Sequence, residues 1–491
     1  MYKKIIVLLL VALFSFAGIN SAYAGDISKA KDTISEVFDY LLEYHKDNPE
    51  FDQLMEGAIW GMIDTLEDPY TVFLANDEVG EFVDTLNGNF KGVGIYLEGQ
   101  NDYPRVLEVF PDSPAKAAGV MPGDIIIRVN GTDIKGLPLN SIIEKIKGPE
   151  GTEVNLLISR DEKELSFKIK RTTLTFTTVN SKVMDKSTGY ISVDSFSPKT
   201  ASEFRSALKS LIIKDITGLV IDLRDNPGGY LEAAVEMAEM LVKPGDLIVK
   251  TEYNDGSEEK YIAEKQDLSI KVPIIVVVNS GSASASEVFA GALQDHGIAR
   301  LVGERTFGKG VVQNVIPLDG GGALKLTTAE YTTPKGRHLN KKGIEPDYLI
   351  NTGDLQVPFA LTLVQPQHQR IIKYTPDSDE VMVNEEKIKV SNRPFSKDKT
   401  VYLPLRFTFE ALGYMVKWDE STGRILVKKD NDTLQLSVAG YPLYNGRIIK
   451  VGRSLYVEDG VSYITPELIG ALGFSCEYVE NQIVIKSKTG R

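Results

Sequence analysis

The sequence predicts a multidomain α/β protein, and three observations support this class. The chain has 491 residues, enough for three or four domains of ordinary size, and 42% of them are hydrophobic. Apolar residues recur at helical spacing over 25–88, and short strands separated by glycine turns follow over 89–170. Beyond residue 170, buried strands alternate with amphipathic helices, an order typical of a sheet with parallel strands.

Residues 1–24 are predicted to be a secretory signal peptide. Lys3 and Lys4 precede an apolar run from Ile5 to Ala17, and Ala22-Tyr23-Ala24 has the small-residue pattern of a cleavage site. The alternative is a membrane anchor that the mature protein keeps, although the apolar run is short for a span. We therefore expect an exported protein, extracellular or associated with the cell envelope.

Charge and cysteine content exclude several classes of function. The formal net charge of −13 argues against nucleic acid and anionic membrane surfaces as main partners. Cys476 is the only cysteine, so no internal disulfide forms, and we expect it to be a buried small hydrophobe. No cluster of His, Cys, Asp and Glu has the spacing of metal ligands. We expect neither a metal ion nor a cofactor.

Residues 25–88 are predicted to form a helical cap or a dimerisation arm. Two sets of apolar residues fall at helical spacing, and Asp68-Pro69-Tyr70 ends the second helix. The two sets are Ile34, Val37, Phe38, Leu41 and Leu42, and then Leu54, Ala58, Ile59, Met62 and Leu66.

Residues 89–170 carry a series of short glycine-containing and turn motifs. In order, they are Gly92-Val93-Gly94-Ile95, Ser113-Pro114-Ala115, Pro122-Gly123-Asp124, Asn130-Gly131 and Gly148-Pro149-Glu150-Gly151-Thr152. The series resembles a PDZ domain. The resemblance implies that backbone N–H groups from Gly92 to Ile95 capture a terminal carboxylate. The adjacent strand edge would pair with an extended peptide, and Val93 and Ile95 would line an apolar pocket for its last side chain.

Two strand–turn–helix units over 171–365 predict neighbouring strands of one sheet. The first strand, Gly218 to Leu223, leads into the loop 224–229, and the second, Ile274 to Val278, leads into a small-residue turn and a helix. Loops at the carboxyl ends of parallel strands converge on one edge of a sheet. We therefore expect the segment 226–229 and Ser284 to meet there.

Ser284 and Lys309 are the strongest catalytic candidates. Ser284 stands where a strand becomes a helix, so its side chain is expected beside helix-terminal N–H groups. Lys309 lies between Gly308 and Gly310, which allow another backbone to approach closely. A serine needs a base to become a nucleophile, and a lysine can serve when burial keeps its amine neutral. Spacing alone does not separate Ser284 from the neighbouring serines at 282 and 286.

Other chemistries are weakly supported by the residues. His296 would be the base of a Ser–His–Asp triad, but it is expected at the far end of the helix that follows Ser284. The segment 303–310 lacks the spacing of a phosphate-binding P-loop. A helix-start serine and a surface lysine are the structural alternatives for Ser284 and Lys309.

The motifs SGSASASE, GxxTFGKGxxQ and DLRxNPGG, together with the PDZ motifs, resemble the carboxyl-terminal processing proteases from about residue 30 to 352. These are serine peptidases with a Ser–Lys dyad, so the resemblance implies a crotonase-like α/β protease core over 171–365. Carried over residue by residue, the implied roles are nucleophile for Ser284, general base for Lys309, third residue for Gln313, and oxyanion-hole N–H donors for Gly228 and Ala285.

The resemblance also implies function and partners. We expect an endopeptidase that cleaves protein substrates near their free C-termini, with the PDZ domain recognising the terminus and gating the site. Lys147 stands where related proteases carry a basic residue that links the PDZ domain to the core, and a solvated surface lysine is the alternative. A homodimer is expected. The rival interpretation is a non-catalytic cell-envelope scaffold that binds peptides through its PDZ domain.

Residues 378–489, after a predicted hinge near Thr375-Pro376, contain an internal repeat. Residues 403–414 recur as 464–474, and each copy continues into a strand. The pattern resembles the N-terminal stalk domain of copper amine oxidases. Because no histidine lies beyond His368, copper binding through imidazole is unsupported. We expect a spacer or a module that binds a cell-envelope component.

Overall fold

The computed structural model describes residues 21–99, 102–185, 187–265, 270–384, 386–452 and 454–487. The predicted leader lies outside this range apart from its last four residues. The described chain divides into two compact units, one with the residues up to Ala75 and Asn314–Thr327, the other with Asn76–Gln313 and the residues from Thr328 onward. Over these described residues, none of the helices is both long and apolar enough to cross a membrane.

The first unit is mainly helical, as the spacing of apolar residues predicts. Its elements are α1 (Ser21–Tyr44), α2 (Phe51–Asp64) and β1 (Val72–Leu74). Large apolar side chains on α1 remain exposed to solvent; they are Ile27, Ile34, Val37, Tyr40, Leu41 and Tyr44. Strand β1 pairs antiparallel with residues 323–325.

The second unit opens with α3 (Asn76–Leu86) and a small domain around an antiparallel sheet. The elements of this domain are β2 (Asn89–Gly92), β3 (Ile95–Glu98), β4 (Arg105–Val109), α4 (Pro114–Ala118), β5 (Ile125–Val129), β6 (Thr132–Asp133), α5 (Leu139–Ile146), β7 (Glu153–Arg160), β8 (Lys163–Lys170) and β9 (Thr172–Thr175). The strand order β3-β4-β5-β7-β8 leaves β3 at an edge. Where the chain enters and leaves the domain, β2 and β9 pair as a ribbon.

Residue identity explains the short helix of this domain. Ser113 is the N-cap, its hydroxyl accepting the backbone N–H of Lys116 at 3.2 Å, and Pro114 occupies the first helical turn, where it blocks no helical hydrogen bond. Gly119 ends the helix as its C-cap. The Ser-Pro-Ala motif is therefore a helix start.

The core of the second unit is a six-stranded sheet of order β10-β11-β12-β15-β16-β19, in which the five strands from β11 onward are parallel. The elements of this region are β10 (Val179–Met184), β11 (Thr188–Val193), α6 (Thr200–Ile213), β12 (Gly218–Asp222), α7 (Leu231–Glu239), β13 (Leu247–Tyr253), β14 (Glu258–Ile262), β15 (Ile274–Val278), α8 (Ala285–Asp295), β16 (Ala299–Gly303), β17 (Val311–Pro317), β18 (Ala323–Thr332), β19 (Tyr348–Leu349) and α9 (Gly353–Val364). Strands β12 and β15 are parallel neighbours, which confirms the prediction from the two strand–turn–helix units.

The sheet is buried on both faces. In β12, Leu219 and Ile221 belong to a hydrophobic cluster with α6, α7 and α8, whereas Val220 belongs to a second cluster. The same alternation occurs in β15, because successive side chains of a strand point to opposite faces. Double burial explains why both strands are apolar throughout.

The C-terminal region confirms the internal repeat. Its elements are β20 (Ile371–Tyr374), β21 (Glu380–Val383), β22 (Glu386–Lys389), β23 (Phe395–Lys397), β24 (Thr400–Pro404), α10 (Leu405–Ala411), β25 (Met415–Asp419), β26 (Arg424–Lys429), β27 (Asp432–Leu436), β28 (Leu443–Tyr444), β29 (Arg447–Ile448), β30 (Leu455–Glu458), β31 (Val461–Ile464), α11 (Pro466–Ala471), β32 (Ser475–Val479) and β33 (Gln482–Lys486). Both copies run strand, short helix, β-hairpin, and their first strands, β24 and β31, pair antiparallel.

This region packs directly against the six-stranded core sheet and its helix α9. Strand β20, which precedes the predicted hinge at Thr375-Pro376, pairs with β33, so the C-terminal sheet starts before residue 378. The second cluster runs from Val220 of the core sheet through α9 to Phe409 of α10. The two regions therefore share one hydrophobic core.

Candidate active site

Ser284 occupies the turn between β15 and α8 in a backbone conformation that is rare for a residue with a side chain. Its φ of 55° and ψ of −117° lie outside the common regions for L-residues. Such strain persists only where the surrounding structure holds it, and it is common at catalytic residues. The sharp turn leaves Ser284 partly exposed at the start of the helix. This is the position that a nucleophile on a strand-to-helix turn requires.

The two neighbouring serines have structural roles. Ser282 and Ser286 are fully buried. The hydroxyl of Ser282 donates to the carbonyl of Leu223 at 2.8 Å, and that of Ser286 donates to the carbonyl of Asn226 at 2.9 Å. Geometry therefore separates Ser284 from its neighbours, which sequence spacing does not.

The loop after β12 meets the Ser284 turn, as the sheet topology predicts. The carbonyl of Asn226 accepts the backbone N–H of Ala283 at 3.0 Å, and its side chain donates to the carbonyl of Val193 at 2.8 Å. Gly228 has a φ of 103°, and a Cβ there would lie 2.8 Å from Ser284 Cβ. Only glycine fits this position without displacing the turn.

Glu287 connects the Ser284 turn to the Lys309 loop. Its fully buried carboxylate accepts four hydrogen bonds, from the backbone N–H groups of Ser284, Gly308 and Lys309 and from the hydroxyl of Thr306. Burial raises the pKa of the Glu287 carboxyl, and the four hydrogen bonds oppose that rise. Because all four partners donate, the ionised form is the one that satisfies them.

Lys309 is partly buried on a loop that packs tightly against another segment. A Cβ on Gly310 would lie 2.2 Å from the backbone nitrogen of Asn340, and the carbonyl of Gly308 accepts the N–H of Lys341 at 2.8 Å. The flanking glycines thus allow the close backbone approach that the sequence predicts. Gln313 follows on β17, with a partly buried side chain.

The two candidate oxyanion donors lie beside Ser284 in different states. Ala285 is the first residue of α8, and among the described residues no acceptor is found for its N–H. The N–H of Gly228 donates to Oδ1 of Asn226 at 2.9 Å. The Ala285 N–H is therefore free to meet an oxyanion, and the Gly228 N–H would first have to leave Asn226.

The Ser284 hydroxyl is in contact with the side chain of Tyr331. Its phenolic oxygen lies 2.9 Å from Ser284 Oγ, at hydrogen-bonding distance, and the residue is 3% exposed. His296, the alternative base, lies at the opposite end of α8 from the Ser284 hydroxyl. It caps that end, about 16 Å along an 11-residue helix, with Nε2 2.7 Å from the carbonyl of Leu247.

The candidate peptide-binding residues lie between β2 and the start of the edge strand β3. Gly92 ends β2, Val93 and Gly94 form the connection, and Ile95 begins the edge strand β3. Val93 is 2% exposed within the core of the small domain, and Ile95 is partly buried against that core. Of the two, Ile95 is the more available to line a pocket.

Lys147 and Arg171 differ sharply in their surroundings. Lys147 is half-exposed and pairs with Glu144 of the preceding helix at 3.0 Å. Arg171 is 7% exposed and donates to the carbonyls of Lys145, Ile146 and Glu153 and to the hydroxyl of Thr152. The chain reaches β9 directly after Arg171, so this side chain fixes the end of α5 to the exit of the small domain.

Sequence reasoning missed Glu287 and Tyr331 as members of the site, and it placed Asn226 there only as part of the segment 226–229. Glu287 carries a recognisable signal, because it lies three residues after Ser284 in the Ser-x-x-Glu spacing of a capping box, and its carboxylate bonds the Ser284 N–H. Tyr331 is 47 residues from Ser284, and only the fold brings the two together.

Known family models match successive regions of the chain, in the order of domains predicted from the sequence. Profiles match for the activating protease CtpB N-terminal domain over 19–78, the PDZ domain over 85–159, peptidase family S41 over 187–350 and the copper amine oxidase N-terminal domain over 368–486. These matches confirm the helical N-terminal region, the PDZ domain, the protease core and the C-terminal resemblance.

Individual proteins are also similar to this chain. The chain is 37% identical over 343 residues to the carboxy-terminal processing protease CtpB of Bacillus subtilis (strain 168), covering 69% of this chain and 71% of that protein. It is 38% identical to CtpA of the same organism, covering 68% and 71%. A solved photosystem II D1 C-terminal processing protease is 29% identical, with a TM-score of 0.44, covering 69% of this chain and 90% of that one. The chain belongs to the carboxy-terminal processing proteases, serine-type peptidases of family S41.

Proposed function

We propose that this protein is an exported endopeptidase in which Ser284 and Lys309 form the catalytic dyad. The observation that carries the proposal is the shared carboxylate oxygen of Glu287, which accepts the backbone N–H groups of Ser284 and Lys309 at 2.9 Å each. The backbones of the two residues are therefore neighbours. The hydroxyls of Ser282 and Ser286 are buried and hydrogen-bonded to backbone carbonyls, whereas Ser284 is partly exposed at the helix start.

In the proposed reaction, the proton of the Ser284 hydroxyl passes through Lys309 to the leaving amine. The neutral Lys309 amine takes the proton of Ser284 as Oγ attacks the carbonyl carbon of the scissile peptide. The tetrahedral intermediate collapses, the C–N bond breaks, and the leaving amine receives that proton from Lys309. Water then hydrolyses the acyl-enzyme by the same route. Gln313 orients the amine without adding a charge.

Charge on the tetrahedral oxygen needs preorganised donors. Ala285 is the first residue of α8, so its N–H can donate to an oxyanion there. The helix dipole also favours negative charge at this end of the helix. The N–H of Gly228 joins it once its hydrogen bond to Asn226 is released. The oxyanion hole in this state therefore has one ready donor and one engaged donor.

Substrate recognition is assigned to the PDZ domain. Among the strands that the structure describes, β3 ends the order of its sheet, so its outer edge can pair with an extended peptide, and the connection Gly92–Ile95 leads into it. Ile95, Leu139 and Ile143 are partly buried apolar side chains of this domain that would contact an apolar terminal residue. The domain would select free C-termini and gate cleavage.

The proposal also assigns roles to the first unit, to residues 378–489 and to the leader. The exposed apolar residues of α1 fit a homodimer formed through the first unit. Residues 378–489 would bind a cell-envelope component or act as a spacer. Export rests on the predicted leader at 1–24.

The test uses an unfolded protein with an apolar C-terminus as substrate and follows its fragments by mass spectrometry. Wild type should cut, and Ser284→Ala and Lys309→Ala should be silent while still folded. Matched controls are Ser280→Ala and Lys342→Ala, which change an exposed serine and an exposed lysine beside the same turns and should leave cutting unchanged. Absence of fragments from wild type as well as from both dyad variants would instead support the scaffold interpretation, and equal cleavage by all three would contradict the dyad.

A further inference from the structure

We propose that Tyr331 is a catalytic residue whose phenolic O–H donates to Ser284 Oγ and stabilises the charge that develops there as the serine loses its proton. The inference rests on the proposed dyad and adds a residue to it. The carrying observation is the distance of 2.9 Å between the two oxygens.

The position of the phenol is fixed by packing. Tyr331 belongs to the hydrophobic cluster that α6, α7 and α8 form with one face of the core sheet. Phe289 of α8 and Leu339 belong to the same cluster. Its backbone lies in β18, where it is paired with Thr251 of β13. A buried tyrosine needs a partner for its hydroxyl, and the hydroxyl of Ser284 is at hydrogen-bonding distance from it.

Tyr331 is also joined to the loop that carries the base. Its backbone N–H donates to the carbonyl of Gly310, one residue after Lys309, at 2.9 Å. The same residue thus contacts the nucleophile through its side chain and the base loop through its backbone. Any displacement of β18 would change both distances together.

The direction of the hydrogen bond follows from acidity and from the reaction. A phenol is a stronger acid than an aliphatic alcohol, so it is the better donor of the two. When Tyr331 donates, the hydrogen of Ser284 stays available to Lys309. As that proton leaves, Oγ gains negative charge, and a hydrogen bond to a charged acceptor is stronger than one to a neutral acceptor. The contact therefore favours the transition state over the resting state.

The first experiment compares wild type with Tyr331→Phe, which removes one oxygen and leaves the ring. The expected result is a fall in kcat of about tenfold with KM changed less than twofold. The rate at which a small alkyl fluorophosphonate modifies Ser284 should fall by a similar factor, because that reaction needs no peptide binding. Thermal melts report whether the variant is folded.

Tyr374→Phe is the matched control. Tyr374 is also fully buried, and its hydroxyl lies 2.8 Å from the hydroxyl of Thr408 in the C-terminal domain. Loss of this hydroxyl should change the melting temperature without changing the rate of Ser284 modification. If both tyrosine variants lower the rate equally, the effect of Tyr331 is one of stability and the inference is wrong.

A second measurement tests the inference if Tyr331→Phe folds poorly. A fluorinated tyrosine at 331 keeps the hydroxyl but ionises at lower pH, and the ionised form cannot donate. The alkaline limb of the kcat profile should then move to lower pH. An unchanged profile, or a Tyr331→Phe enzyme as fast as wild type or faster, overturns the inference. If Ser284→Ala cleaves like wild type, the dyad itself fails instead.

Discussion

Ser284 and Lys309 donate their backbone N–H groups to the same atom, Oε2 of Glu287, each at 2.9 Å. The other oxygen of that carboxylate accepts the Thr306 hydroxyl at 2.5 Å and the Gly308 N–H at 2.8 Å. One buried side chain therefore sets the spacing between the Ser284 turn and the Lys309 loop. It also holds the strained backbone of Ser284.

The first prediction concerns Glu287→Gln. Glutamine has the same shape, but its NH₂ group would face two of the four donors and leave them without an acceptor. An unsatisfied buried donor costs about 1–3 kcal/mol, so the melting temperature should fall and kcat should drop more than tenfold. Calorimetry and steady-state kinetics check this. Glu236→Gln, on the exposed face of α7, is the matched control and should behave as wild type.

Much of the protease core is predictable from the sequence because buried parallel strands have a simple signature. The predicted strand Ile274 to Val278 is β15, and the prediction that Ser284 follows it at a helix start is confirmed. Local chemistry explains both, since a continuous apolar run requires burial on both faces and small residues allow the turn.

Long-range contacts could not be predicted in the same way. Tyr331, on β18, meets Ser284 only through the tertiary fold, and no local pattern signals a contact across 47 residues. The shared core between α9 and α10 is a similar case. Its apolar residues indicate burial, but the sequence does not say against which surface. The predicted hinge at Thr375-Pro376 directly follows β20, which pairs with β33 of the C-terminal sheet.

The second prediction concerns the oligomeric state. Val37 and Tyr44 are 52% and 69% exposed on one face of α1, so burying that face against a second copy would remove apolar surface from water. We expect wild type to be a dimer and Val37→Asp with Tyr44→Asp to be a monomer in size-exclusion chromatography with light scattering. Asp32→Asn, an exposed change on the same helix, should remain dimeric. A monomeric wild type would contradict the proposal.

The third prediction tests the shared core. Phe409 is fully buried in the cluster that joins α10 to α9 and the core sheet, and Phe→Ala changes in cores cost about 3–5 kcal/mol. Phe409→Ala should lower the temperature at which the protease core unfolds, as judged by loss of peptidase activity and by calorimetry. Tyr441→Ala, at an exposed position, is the control. A calorimetric trace in which Phe409→Ala shifts a separate transition and spares activity would show independent domains.

The fourth prediction concerns Cys476. The side chain packs partly buried against the second cluster, and burial raises the pKa of its thiol to about 11. Since the thiolate is the reactive form, about a thousandth of the thiol is reactive at pH 8, and alkylation should be slow there. The rate should rise with pH toward about 11. Rapid alkylation at pH 8 in the folded protein would contradict the assignment.

Covalent trapping of the nucleophile tests the central claim most directly. The folded protein is treated with an alkyl fluorophosphonate, digested, and the modified residue is identified by mass spectrometry. The account predicts a single adduct on Ser284 that Lys309→Ala prevents and that Lys342→Ala does not. An adduct on another residue, or labelling of Ser284 that persists at the wild-type rate without the Lys309 amine, would contradict the dyad.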